Sequence, residues 1–85
     1  MTKLEEKLIE LGYVYIRHDD YFKKKFKFSR FVSISIALNS DKSEIDDFGV
    51  EYKNYFIKGQ YQINNLQLAF NELQKDLEEL KSCQD

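Results

Sequence analysis

The feature that most constrains this chain is an alternation. Between Phe22 and Leu38 the even positions are mostly apolar: Phe22, Phe26, Phe28, Val32, Ile34, Ile36 and Leu38. The odd positions are Lys23, Lys25, Lys27, Ser29, Phe31, Ser33, Ser35 and Ala37. A period of two is the signature of a sheet with one buried face, because successive β side chains point to opposite sides. Seventeen residues exceed the usual strand of about 5 to 6. A turn near Phe28 to Arg30 would split the run into two antiparallel strands. Parity leaves one strand or two open, since the even face stays apolar either way.

The flanks supply the rest of the fold. Thr2 and Glu5 have the spacing of a capping box, ahead of Leu4, Leu8 and Leu11 at helical intervals. Gly12 provides the left-handed position that ends a helix, which places the first helix at 3 to 11. In Tyr13 to Arg17, Val14 and Ile16 are expected inward, with Tyr13, Tyr15 and Arg17 facing out. His18-Asp19-Asp20 reads as a turn, as does Asn39 to Ser43. Ile45 to Lys53 reads as a strand with Phe48, Val50 and Tyr52 inward. Asn54 to Tyr61 fits an edge strand or a packed loop. Asn64 with Gln67 suits a helix start, with Ile63 stapled on Leu68. Ile63, Leu66, Phe70, Leu73, Leu77 and Leu80 form a stripe of 3 and 4 spacings, predicting a helix from about 65 to 82. The expected architecture is one α+β domain over 1–85, ordered α-β-β-β-β-α. It is a two-layer sandwich with an antiparallel sheet of three to four strands and both helices on one face.

Composition bounds the function. Of 85 residues, 42% are hydrophobic and 33% charged, the balance of a globular chain. No apolar run approaches the roughly 18 residues of a membrane span, and no secretory signal is visible at the start. One cysteine, Cys83, rules out an internal disulfide and a Cys-based zinc site, so a cytoplasmic setting is expected. The net charge of −2 is too small for an anionic mimic of DNA. Its distribution is uneven: Arg17 to Arg30 carries six positive and two negative side chains, while Asn39 to Tyr52 carries five acids and one lysine.

Chemistry-bearing motifs are missing. The only histidine, His18, adjoins two carboxylates, but neighbours in a turn do not converge on one point. Asp46-Asp47 with Glu44 lacks the glycine and spacing of an EF-hand. No HExxH, GxSxG, P-loop or GxGxxG occurs. The expectation is a non-catalytic protein with no catalytic residues, no metal and no cofactor.

What remains is a surface. Lys23, Lys25 and Lys27 share a parity and project about 6.8 Å apart, twice the strand rise. Arg30 extends the charge, and Tyr13, Tyr15 and Phe31 are expected on the same outer face. Read blandly, this is a solvated strand whose lysines discourage edge association, with Asp47 and Glu51 as neutralising neighbours. As a site, it suits a protein partner with an acidic patch, tyrosine being enriched at interface hot spots. A nucleic-acid platform is the alternative, with phosphates on the cations and bases stacked on the rings. Self-association, through this face or through the last helix, is the third. Glu72, Asp76 and Glu79 are expected to be a solvated helix surface.

"KLEEKLIELGY", a β-meander and "NLQLAFNELQKDLEEL" together resemble the small accessory proteins of phages and mobile islands of low-GC Gram-positive bacteria. The likeness is one of size, composition and architecture, so it transfers no residue roles. It implies a class of role, in the host cytoplasm if the chain is phage-encoded; a monomer or homodimer, with no membrane and no cofactor, is expected apart from the likeness. Its role would be to bind and inhibit a host protein such as a replication, transcription or CRISPR component.

Overall fold

A computed structural model describes residues 1–53 and 60–84. Helix α1 spans Lys3–Glu10, strands β1 to β4 span Val14–Ile16, Tyr21–Lys25, Val32–Leu38 and Ile45–Tyr52, and helix α2 spans Gln60–Lys81. The strands form one antiparallel sheet in the order β1-β2-β3-β4. The long alternating run is therefore two strands, broken over residues 26–31.

Local chemistry explains the ends. The Thr2 hydroxyl accepts from the Glu5 amide at 3.2 Å, and Glu5 Oε1 accepts from the Thr2 amide at 2.9 Å. Such a cap contributes about 1 kcal/mol. Gly12 turns the chain out of α1 at φ +100°, a conformation that L side chains rarely adopt. In the β3–β4 turn, Asn39 Oδ1 accepts from the amides of Ser43 and Glu44. Lys42 there reaches across to the β1–β2 turn, 2.8 Å from Asp20 Oδ1. The triplet at 18 to 20 is thus a turn whose last carboxylate ties two loops together, and it also accepts from the Tyr15 hydroxyl.

Leu4 and Leu8 of α1 and Leu73 and Leu80 of α2 bury against Phe22, Ile34, Ile36 and Leu38 of the sheet. Both helices lie on this inner face. Cross-strand partners share a face, so Phe22↔Ile36↔Phe48 and Ile34↔Val50 are on the inner side, although Phe48 on the edge strand stays exposed and outside the core, while Lys23↔Ser35↔Gly49 and Lys25↔Ser33↔Glu51 point outward.

Three expectations are corrected. The first concerns β1, whose register pairs Tyr15 with Phe22 and Val14 with Lys23. Tyr15 therefore faces inward and Val14 outward, the reverse of the expected parity. A three-residue strand has too little alternation to fix its own face, and a tyrosine body is as buriable as a valine. The second concerns α2, which starts at Gln60 rather than near 65, so Asn64 lies inside the helix. No breaker between 60 and 64 stops the helix from extending backwards. The third concerns its buried face, which is Asn65, Ala69, Leu73, Asp76 and Leu80. At 3.6 residues per turn this is rotated by about 70° from the leucine stripe. Ile63 and Phe70 consequently stand half exposed. The expected edge strand or loop at 54–61 falls outside the described residues, except that 60 and 61 already belong to α2.

Candidate functional site

The three lysines in the middle of β2 divide by parity. Lys24 points inward, beneath α2. Its Nζ lies 2.9 Å from both Glu72 Oε2 and Asp76 Oδ2. Asp76, whose side chain is 1% exposed, also accepts from the Tyr13 hydroxyl at 2.8 Å. The Lys24 ammonium stands 5.3 Å from the centre of the Tyr13 ring. Burial lowers the pKa of Lys24, but the hydrogen bonds to Asp76 and Glu72 outweigh burial and raise it. Burial pushes Asp76 up, helped by the neighbouring Glu72 carboxylate. Burial likewise holds the Tyr13 phenol protonated, with Asp76 adding to the effect. This cluster clamps α2 to β2 and to the start of β1. Asp76 and Glu72 are therefore not the solvated surface expected of them.

Tyr13 and Tyr15 leave the outer face. Tyr13 is 2% exposed inside the clamp. Tyr15 packs beside Phe22 on the inner side, ring centres 5.2 Å apart, and only its edge position leaves it partly open.

The outer face keeps Lys23, Lys25, Phe31 and Arg30 and gains Lys53. The Lys53 amide donates to the Phe31 carbonyl at 2.9 Å, which continues the ladder one pair beyond β4. That places Lys53 on the outer side, close to Lys23. Lys27 is exposed in the β2–β3 connection. The Arg30 guanidinium lies over the Phe31 ring at 5.2 Å. Between the basic side chains the sheet is floored by Ser33, Ser35, Ala37 and Gly49, none of which is bulky.

Two hollows flank the lysines. One, of about 260 Å³, is lined by Gly12, Val14 and Ile16 together with Lys23 and Lys25. The other, of about 210 Å³, collects Lys23, Lys25, Arg30 and Lys53 around Phe31 and Ser33. No acid lines the second hollow. Among the described residues no carboxylate forms an ion pair with any of its four cations. The Lys23 ammonium is drawn below its ordinary pKa, first by burial and then by Lys53 beside it. Asp47 and Glu51 line a third, smaller hollow with Tyr21, so the same face also carries an acidic margin along β4.

Lys53 was legible but not used: a strand over 45 to 53 with Tyr52 inward already turns Lys53 outward, with Asp47 and Glu51. Sequence reasoning missed Val14 and Ile16 because the parity of β1 was inverted. Lys24 carried a signal that could have been used: with Arg30 it is one of two charged residues at even positions between Phe22 and Leu38, and of the two it alone lies within a strand.

No protein-family model matches the chain, and no curated protein or solved structure matches it significantly. The functional reading therefore rests on the geometry.

Proposed function

We propose that this chain is a non-catalytic protein-binding module and that its working surface is the outer face of the sheet. The observation that carries this reading is the set of four cations that form no ion pair among the described residues, Lys23, Lys25, Arg30 and Lys53, on the face that both helices leave uncovered. Exposed lysines are ordinarily indifferent neighbours, but four that converge with a stacked arginine create a strongly positive patch. The apolar edge at Val14 and Ile16 and the small residues along β3 would let another surface approach closely. The partner is a protein with an acidic patch, and the role is inhibition or modulation of that protein, as in an accessory factor of a phage or mobile element.

A nucleic acid fits this face less well. A uniform polyanion laid along it would meet Asp47 and Glu51, and Phe31 is the only ring left from the expected stacking set. Self-association through α2 would have to use Ile63, Leu68 and Phe70, which stand half exposed, because Leu73 and Leu80 of the leucine stripe are in the core.

Capture from host lysate with the tagged chain tests the reading. The expected result is a specific protein retained by the parent and by Glu79→Lys, and lost by Lys23→Glu/Lys25→Glu/Lys27→Glu. Capture unchanged by the triple substitution overturns it. A retained nucleic acid, with affinity falling at a log–log salt slope of about −0.7 per phosphate on single strands, would favour the alternative.

A further inference from the structure

The basic hollow has a second property besides its charge. Ser33 is 5% exposed, projects to the outer side and lines the hollow. Among the described residues nothing hydrogen-bonds to its hydroxyl. The hydroxyl oxygen itself is open to the hollow rather than sealed off, so it is an available donor at the floor beneath the cations. We propose that this hollow binds a phosphate monoester. The inference rests on the outer-face reading and names the group that the ligand presents there.

Three arguments select that group. The hollow, at about 210 Å³, lies below the roughly 300 Å³ at which pockets begin to hold a drug-sized ligand, so it suits a functional group rather than a whole cofactor. Its lining carries four cations and no acid, with Glu51 opposite Ser33 on β4 offsetting one charge from outside the lining. A carboxylate returns one negative charge, whereas a phosphate monoester returns close to two and offers three strong acceptor oxygens. Its donors are also of the right kind: an Arg30 guanidinium held in place over Phe31, lysine ammonium groups, and a serine O–H at the floor. The phosphodiester backbone of a nucleic acid carries one charge per group and must continue past the site, where Asp47 and Glu51 lie.

The test is a nuclear magnetic resonance titration of the ¹⁵N-labelled full chain with inorganic phosphate at constant ionic strength. Saturable shifts are expected at the amides of Lys25, Phe31, Ser33 and Lys53, with acetate binding about tenfold more weakly. Ser33→Ala and Arg30→Gln, both outside the core, should each weaken phosphate by a factor of about three to ten without moving the melting temperature. Shifts that never saturate, equal affinity for acetate, or indifference to both substitutions would overturn the proposal. A peptide bearing one phosphoserine is then compared with free phosphoserine. Tighter binding of the peptide assigns the group to a protein chain, and equal binding assigns it to a small phosphate ester; either upholds the pocket. Single-stranded DNA without a terminal phosphate overturns it if it displaces phosphate from these amides at lower concentration than the peptide does. The two readings fail separately. Phosphate that does not saturate removes the pocket alone, whereas partner capture that survives the lysine-to-glutamate triple removes the protein-binding surface alone.

Discussion

Lys23, Lys24 and Lys25 are the same residue three times in succession, and the fold gives them two opposite assignments. Lys24 is 16% exposed, its ammonium 2.9 Å from each of two carboxylates beneath α2. Lys23 and Lys25 stand on the other face among further cations, with no carboxylate in an ion pair with them among the described residues. The difference is set by nothing but strand parity. A lysine turned inward must be paired, because leaving a buried charge uncompensated costs several kcal/mol. A lysine turned outward can stay unpaired at little cost, which leaves its charge free to meet a ligand. The clamp therefore belongs to stability, and the outer pair stands on the face proposed above for recognition.

The sharpest way to break this comparison is to remove the inner cation. Lys24→Met leaves Glu72 and Asp76 facing each other without a counterion, and equilibrium urea unfolding should show a loss of about 3–5 kcal/mol. Adding Asp76→Leu to the same chain should recover most of it. If the double variant is no better than the single, the clamp is not an electrostatic unit.

Next in size is the Tyr13 hydroxyl. Tyr13→Phe strips one donor from Asp76 and should cost about 1–3 kcal/mol. It should also change the alkaline limb of stability. The folded state keeps the Tyr13 phenol protonated above its ordinary value of 10.0, while the unfolded chain ionises there, so stability falls as pH rises past that point. Lys24 acts with the same sign. Its raised pKa gives stability that is full below its ordinary 10.5 and is lost as pH rises through the folded value. Thermal melts from pH 8 to 11 should therefore fall less steeply for Tyr13→Phe than for the parent.

Tyr52 offers a contrast within the same face. Its hydroxyl is buried, with no hydrogen-bond partner among the described residues. Tyr52→Phe should be neutral or stabilise by up to about 1 kcal/mol, since it removes an unsatisfied group. A loss as large as that of Tyr13→Phe would show that the Tyr52 hydroxyl is satisfied after all. Smallest of all, Lys23→Met and Lys25→Met should each stay within about 0.5 kcal/mol of the parent in urea unfolding, as surface substitutions do.

Much of this fold was legible in the sequence. The capping box of α1, the left-handed glycine after it and the even-position apolar row of β2 and β3 are local signals, and each appears where expected. What was not legible depends on contacts distant in sequence. The side on which β1 lies is decided by its pairing with β2, and three residues carry too little pattern to declare it. The buried face of α2 is decided by Lys24, whose charge draws Asp76 and Glu72 toward β2 and rolls the leucine stripe partly outward. Reading polar residues as exposed could not anticipate a buried Asp76. The candidate surface divides in the same way: Lys23, Lys25 and Phe31 followed from parity along the alternating run, and Lys53 could have followed from the parity of β4, whereas Tyr13 and Tyr15 were lost with β1.

One measurement addresses the division of the lysines directly. Brief acylation of the native chain with a lysine-selective reagent, followed by mass spectrometry, reports the relative reactivity of Lys23, Lys24 and Lys25 in a single molecule. Lys23 and Lys25 should react quickly, Lys23 aided by a pKa held down by burial and by Lys53. Lys24, buried and ion-paired, should be protected by about tenfold or more, and unfolding in urea should abolish the difference. Equal rates for all three in the native chain would contradict the assignment of Lys24 to the fold and of its two neighbours to the open face.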